Sequence, residues 1–188
     1  MVGYVTHEPF QGVIFQKPRN LRPYIYADSD YATNENDCRS ISGQVSTLGG
    51  MLVGWSSKKQ NTVSLSSCEA EYISYGEVCQ EAMFMNQLLD ELLKGEMCAV
   101  VYGDNQGALF LVKNWQVSQQ TKHINICQHF VHNLQQQKKV VGEFIQSEDN
   151  MADGSTKNLP EKLFMRHVAK LKGGANLISQ REDVGDIG

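Results

Sequence analysis

The chain has 188 residues, a formal net charge of −4, and 41% hydrophobic with 20% charged residues. That balance suits one globular domain with loose ends and a sizeable buried core, and no apolar run nears the roughly 20 residues that cross a bilayer. The negative charge argues against a nucleic-acid binder on its face, but basic residues cluster around Lys17–Arg22, at Lys58-Lys59, at Lys138-Lys139 and from Lys157 to Lys172, so charge leaves that question open.

Residues 1–20 hold little beyond Val13-Ile14-Phe15, which fits a short edge strand. Tyr24 to Asp28 fits a strand with Tyr24, Tyr26 and Asp28 on one face. After a polar loop, Ser42 to Leu48 and Met51 to Ser56 flank Gly49-Gly50, a hairpin signal. The chain therefore opens with a three-stranded antiparallel meander.

Residues 66–93 give the clearest helix. Ser66 and Glu69 form a capping box, and an apolar stripe runs Tyr75, Val78, Ala82, Met85, Leu89, Leu92. Gly95 is the expected stop. The apolar run Met97 to Tyr102 fits a strand covered on both faces and ends in Gly103-Asp104-Asn105. A short helix at 108–112 and an amphipathic one at about 123–137 follow. Val140 to Ile145 is the last strand, and the pattern from Met151 to Leu171 is helical. The polar tail 173–188 is expected to be flexible. This order predicts an α/β fold: a five-stranded mixed sheet, three antiparallel strands first, flanked by helices, over residues 21–172.

The N-terminus lacks the basic and apolar regions of a signal peptide. Cys38, Cys68, Cys79, Cys98 and Cys127 are scattered and odd in number, which fits a reducing, intracellular setting without disulfides. Cys127, His129 and His132 match no standard zinc spacing. His123 and His129 are expected to be partly buried, and Trp55 to be a core or sheet-face residue.

Four carboxylates stand out. Asp28 and Asp104 end strands, where ligand sites form in such sheets, and Asp153 opens the last helix. The long helix offers Glu69 and Glu71, about 200° apart around its axis. Glu69 has a job in the cap. Glu71 lies on the apolar stripe, where a charge is costly unless it is paired or holds metal. A lone strand-end aspartate is by default a turn residue; four converging carboxylates are a site for hard divalent cations, two of which can drive phosphodiester cleavage.

Several stretches resemble the ribonuclease H domain of copia-type LTR retrotransposon polyproteins. They are Tyr26-Ala27-Asp28-Ser29-Asp30-Tyr31, Arg39-Ser40-Ile41-Ser42-Gly43 and Trp55-Ser56-Ser57-Lys58-Lys59-Gln60. Further along stand Leu65-Ser66-Ser67-Cys68-Glu69-Ala70-Glu71-Tyr72, Gly103-Asp104-Asn105-Gln106, Thr121-Lys122-His123-Ile124, and Met151-Ala152-Asp153 with Thr156-Lys157. Each is weak alone; the ordered set over about residues 10–172 is specific. Two stretches depart from that family, Asn125 to Phe130 and Gly154 to Asn158; the four carboxylates do not.

The resemblance implies a ribonuclease H-like fold and an endonuclease that cuts the RNA strand of RNA–DNA hybrids with two Mg²⁺ ions, Mn²⁺ substituting. It implies Asp28, Glu71, Asp104 and Asp153 as catalytic metal ligands, with Asp28 shared by both ions. The bland alternative is a weak or inactive module that binds nucleic acid or a polymerase. Ser42, Asn105, Gln106 and Lys157 are candidate substrate contacts. Residues 1–20 would connect to the reverse transcriptase domain of the same polyprotein, its expected partner beside the hybrid. No membrane and no small-molecule cofactor are expected. The setting would be a cytoplasmic particle or the nucleus.

Overall fold

The structure is a computed structural model that describes residues 12–15, 17–18, 20–32, 37–113 and 122–172. The expected tail at 173–188, and the first eleven residues of the expected connecting segment, lie outside them.

Strands β1 (Pro23–Asp30), β2 (Ile41–Leu48) and β3 (Met51–Lys59) form the expected meander. Gly49 and Gly50, at φ 58° and 84°, supply the two left-handed residues that a tight hairpin turn needs. Next come α1 (Ser67–Leu93), β4 (Ala99–Gly103), α2 (Gln106–Lys113), α3 (Lys122–Gln136) and β5 (Val140–Phe144). A 3₁₀ turn at Ser147–Asp149 leads to α4 (Asp153–Thr156) and α5 (Glu161–Leu171). The sheet order is β3-β2-β1-β4-β5. β1 runs antiparallel to β2 and parallel to β4, and β4 runs parallel to β5.

The capping box forms. Ser66 Oγ accepts from the Glu69 N–H at 3.1 Å, and Glu69 Oε2 accepts from the Leu65 N–H at 2.9 Å. From that start α1 lays Tyr75, Val78, Ala82, Met85 and Leu89 against Ile25 and Ala27 of β1 and Ala99 and Val101 of β4. Leu92 does not join them; it is 68% exposed, because the helix outruns the sheet it covers. The helix ends in a left-handed residue at Lys94, φ 51°, rather than at Gly95. A smaller cluster on the opposite face joins Tyr26 and Val45 to Met151 and Ala152. There the rings of Tyr26 and Tyr102 stack at 5.1 Å.

Two further expectations are corrected. Residues 12–15 form no strand; the Ile14 N–H donates to the Lys172 carbonyl at 3.2 Å and ties the segment to the end of α5. The helix expected from Met151 to Leu171 is two helices, because Pro160 lacks the N–H an unbroken helix would use. Asp149 holds the second piece in place, with Arg166 Nη2 at 2.6 Å and Lys170 Nζ at 2.8 Å. Of the two places expected for Trp55, the sheet face is the one observed, on the edge strand and 72% exposed.

Candidate active site

Parallel pairing of β1 with β4 brings Asp28 and Asp104 to the same end of the sheet. Asp28 is fully buried. The backbone around it is pinned from both sides: Ser74 Oγ donates to the Asp28 carbonyl at 2.8 Å, and Asn150 Nδ2 donates to the Ala27 carbonyl at 2.9 Å. Asn150, itself buried, fixes the loop that delivers Asp153 at the start of α4. Ser147 Oγ donates to Asp104 Oδ2 at 2.6 Å. One oxygen from each of Asp28, Asp104 and Asp153 lies within 4.8 Å of the other two.

Glu71 stands beside this trio rather than inside it. Its Oε1 accepts from the Ser29 N–H at 3.2 Å. Burial, and then the charges of Asp28 and Asp104, push the Glu71 carboxyl up to about 8. Asp153 is pushed up to about 7, by burial first and by Asp28 next, with Lys157 opposing. Carboxylates so crowded resist ionisation unless a cation joins them.

One protein cation does. Lys157 Nζ lies 3.3 Å from Asp28 Oδ1 and 3.4 Å from Asp153 Oδ1. Burial works against the Lys157 charge, but Asp28 and Asp153 outweigh it and the pKa is raised. The neighbouring Thr156 Oγ1 donates to Asp28 Oδ2. Helix α4 comes this close because residue 43 is glycine: a Cβ there would stand 2.5 Å from Thr156 Cγ2 and 3.0 Å from the Ala152 carbonyl. Asp28 Oδ1 and Asp153 Oδ1 are buried without a hydrogen-bond partner. Two buried carboxylate oxygens that share one cation, with no hydrogen bond to either among the described residues, fit the ligand set of a hard divalent cation.

The candidate substrate contacts fare differently. Ser42 is buried and accepts from Gln60 Nε2 at 3.0 Å, so its hydroxyl is engaged inside the domain. Asn105 caps α2, its Oδ1 accepting from the Ala108 N–H at 2.9 Å. Gln106 is exposed at the start of α2. Lys157 turns inward to the carboxylates. His129 is exposed rather than partly buried, and the His123 side chain lies outside the described residues. Among the described residues the aspartate trio is the one cluster with metal-ligand spacing, and Cys127, His129 and His132 form none.

Reading the sequence for carboxylates missed Thr156, Ser147, Asn150 and Gly43. Gly43 and Thr156 fall in the family-like stretches. Ser147 and Asn150 carry no local signal, because their roles depend on a loop folding back onto β1 and β4. A groove of about 950 Å³ borders the site, lined by Ser42, Gly43 and Ser74 and by none of the four carboxylates, and runs on to Trp55, Glu77 and Phe130.

No protein-family model matches the chain. Among solved structures it is similar to LC11-RNase H1, isolated from compost by a metagenomic approach, with a TM-score of 0.54 and 18% identity over 72% of this chain and 92% of that one. A second structure of that protein, in complex with an RNA/DNA hybrid, gives a TM-score of 0.53 at 17% identity, over 72% of this chain and 94% of that one. Identity this low speaks for the fold alone, and with the sheet order it defines a ribonuclease H-like domain.

Sequence similarity narrows the class. The Pol polyprotein of transposon RE1 from Arabidopsis thaliana is 34% identical over 172 residues, which is 91% of this chain and 12% of that polyprotein. The Pol polyprotein of transposon TNT 1-94 from Nicotiana tabacum is 34% identical over 139 residues, 74% of this chain and 10% of its own length. The chain belongs to the copia-type retrotransposon Pol polyproteins, as their ribonuclease H-like domain, and spans about an eighth of the relative RE1.

Proposed function

We propose that this domain hydrolyses the RNA strand of RNA–DNA hybrids during retrotransposon reverse transcription. The observation that carries the proposal is the gathering of one oxygen each from Asp28, Asp104 and Asp153 within 4.8 Å, with Asp28 and Asp153 buried. The polyprotein relatives and the hybrid complex of LC11-RNase H1 support it.

In this reading Asp28, Glu71, Asp104 and Asp153 hold two Mg²⁺ ions, or Mn²⁺. Asp28 would serve both ions, Glu71 and Asp104 would hold charge on the leaving-oxygen side, and Asp153 would do so on the water side. Bound divalent ions supply an activated water and neutralise the phosphate. The chain's own work is positioning. Ser147 orients Asp104, Asn150 and Thr156 fix Asp28 and Asp153, and the Ser29 N–H holds Glu71 toward the trio. Gln106, exposed two residues after Asp104, is the candidate contact to the hybrid, while Asn105 and Ser42 act by shaping the site. Residues 1–20 connect to the reverse transcriptase domain, residues 21–172 form the nuclease domain, and 173–188 form a tail. The partner and the particle or nuclear setting follow from the polyprotein relation.

The test is cleavage of a hybrid carrying labelled RNA, in Mg²⁺ and in Mn²⁺. Cutting that leaves 5′-phosphate and 3′-hydroxyl ends, and is lost in Asp104→Asn, is expected. Folded protein that cuts in neither ion, alone or joined to its polymerase, would overturn the proposal. Hybrid binding without cutting would point to the inactive binding module.

A further inference from the structure

We propose that Lys157 is a built-in counter-ion that holds the carboxylate site together without metal and must withdraw before a divalent cation binds. The inference rests on the metal-binding reading above and assigns Lys157 a role that precedes any substrate contact.

Three observations carry it. The Lys157 ammonium lies 3.3 Å from Asp28 Oδ1 and 3.4 Å from Asp153 Oδ1, the same two oxygens that are buried without a hydrogen-bond partner. The ammonium thus stands by the point that those two ligands share, within ion-pair distance but without the alignment of a hydrogen bond. Second, the other oxygen of Asp28 is occupied by Thr156, so Asp28 is held from two adjacent residues at the end of α4. Third, the Lys157 side chain is 37% exposed, against 0% and 7% for its two partners. Its stem leads to solvent, so the ammonium has somewhere to go.

The physics follows from crowding. Asp28, Asp104, Asp153 and Glu71 repel one another, and an uncompensated buried carboxylate is strongly unfavourable. A single positive charge between Asp28 and Asp153 relieves part of that repulsion. A divalent ion on the same oxygens cannot share the space with an ammonium, because the two cations repel at contact distance. Metal uptake is therefore an exchange, and its affinity is lowered by the free energy of the ion pair it displaces. No bond is made or broken in the exchange. The released ammonium stands at the mouth of the site, where a hybrid's phosphate can receive it. Metal and hybrid then favour each other's binding.

The experiment titrates the whole chain with Mn²⁺ alone, without nucleic acid, following free Mn²⁺ by electron paramagnetic resonance. Lys157→Gln is expected to bind Mn²⁺ about three- to ten-fold more tightly than the parent, the size expected for releasing a half-exposed ion pair. Lys157→Arg, which keeps the charge, is expected to gain no affinity. In EDTA, Lys157→Gln should melt below the parent, and saturating Mn²⁺ should close that gap. Equal or weaker Mn²⁺ binding by Lys157→Gln would overturn the proposal, as would unchanged melting in EDTA. A purely structural lysine would weaken metal binding on removal, not tighten it. The outcome separates from the nuclease question: a chain that cuts no hybrid but shows this exchange keeps the counter-ion and loses the nuclease. A chain that cuts hybrid with equal Mn²⁺ affinity in parent and variant does the reverse.

Discussion

The two faces of β1 differ more than any two helices do. Ile25 and Ala27 point into a closed apolar layer under α1, with Tyr75, Val78, Cys79 and Val101 around them. Tyr24, Tyr26 and Asp28 point the other way, from stacked tyrosine rings to a fully buried charge beside α4. One strand thus joins a region built for stability to a region built against it. The apolar face must supply what the charged face lacks, since like charges held together in a fold lower its stability.

The largest separation of the two faces is expected from Asp104→Asn. On the proposed function, hybrid cleavage should fall beyond about 100-fold, because a proposed metal ligand is lost. The metal-free protein should melt no lower than the parent, since one repelling charge has gone. A clear loss of stability without metal would break the comparison. On the apolar face, Leu109→Ala removes a side chain only 5% exposed, and unfolding in urea should show a loss of about 2–5 kcal/mol. Cleavage per folded molecule should stay near that of the parent; a collapse of activity without a loss of stability would show that the faces are not separable.

The charged face should also set a pH slope. Glu71 and Asp153 have folded pKa values near 8 and 7, above the ordinary 4.5 and 3.8, so the folded state holds more protons than the unfolded state in between. Stability conferred by those protons is present at low pH and is lost as pH rises through the folded values. His167, buried and lowered below 6.5, contributes the opposite sign, but only below that pH. In EDTA the melting temperature should therefore fall from pH 6.5 to 8, less steeply in Glu71→Gln, and Mg²⁺ should flatten the fall. A rise across that window would contradict the stated charge balance. The smallest effect is expected from Tyr75→Phe. The Tyr75 hydroxyl is buried with no hydrogen-bond partner among the described residues, so its removal should leave stability unchanged or raise it by about 1 kcal/mol in a denaturant titration.

How far the sequence announces these two faces depends on what kind of signal each leaves. Period-two and period-3.6 patterns come from local backbone geometry, so β1, the hairpin and most of α1 were legible, as was the helical phase that favours Glu71 over Glu69. The break at Pro160 is hidden in the pattern, because Leu159, Leu163, His167 and Leu171 keep helical spacing across it. Leu92 fits the stripe but faces solvent, since periodicity cannot say where the sheet beneath a helix stops. The gathering of the aspartates was legible from strand ends. The inward turn of Lys157 and the engagement of Ser42 with Gln60 were not, because both depend on how α4, β2 and β3 approach one another.

Among the described residues, the outer edge of β3 pairs with no sixth strand in the sheet order. Val53 and Trp55 are 46% and 72% exposed on that strand, which makes it a template for adding a foreign strand. Its last two residues, Lys58 and Lys59, are exposed, and Lys59 pairs with Asp37 at 2.8 Å. The same lysines that give the domain part of its basic patterning thereby end an apolar edge in charge, which disfavours strand-to-strand docking of a second copy there.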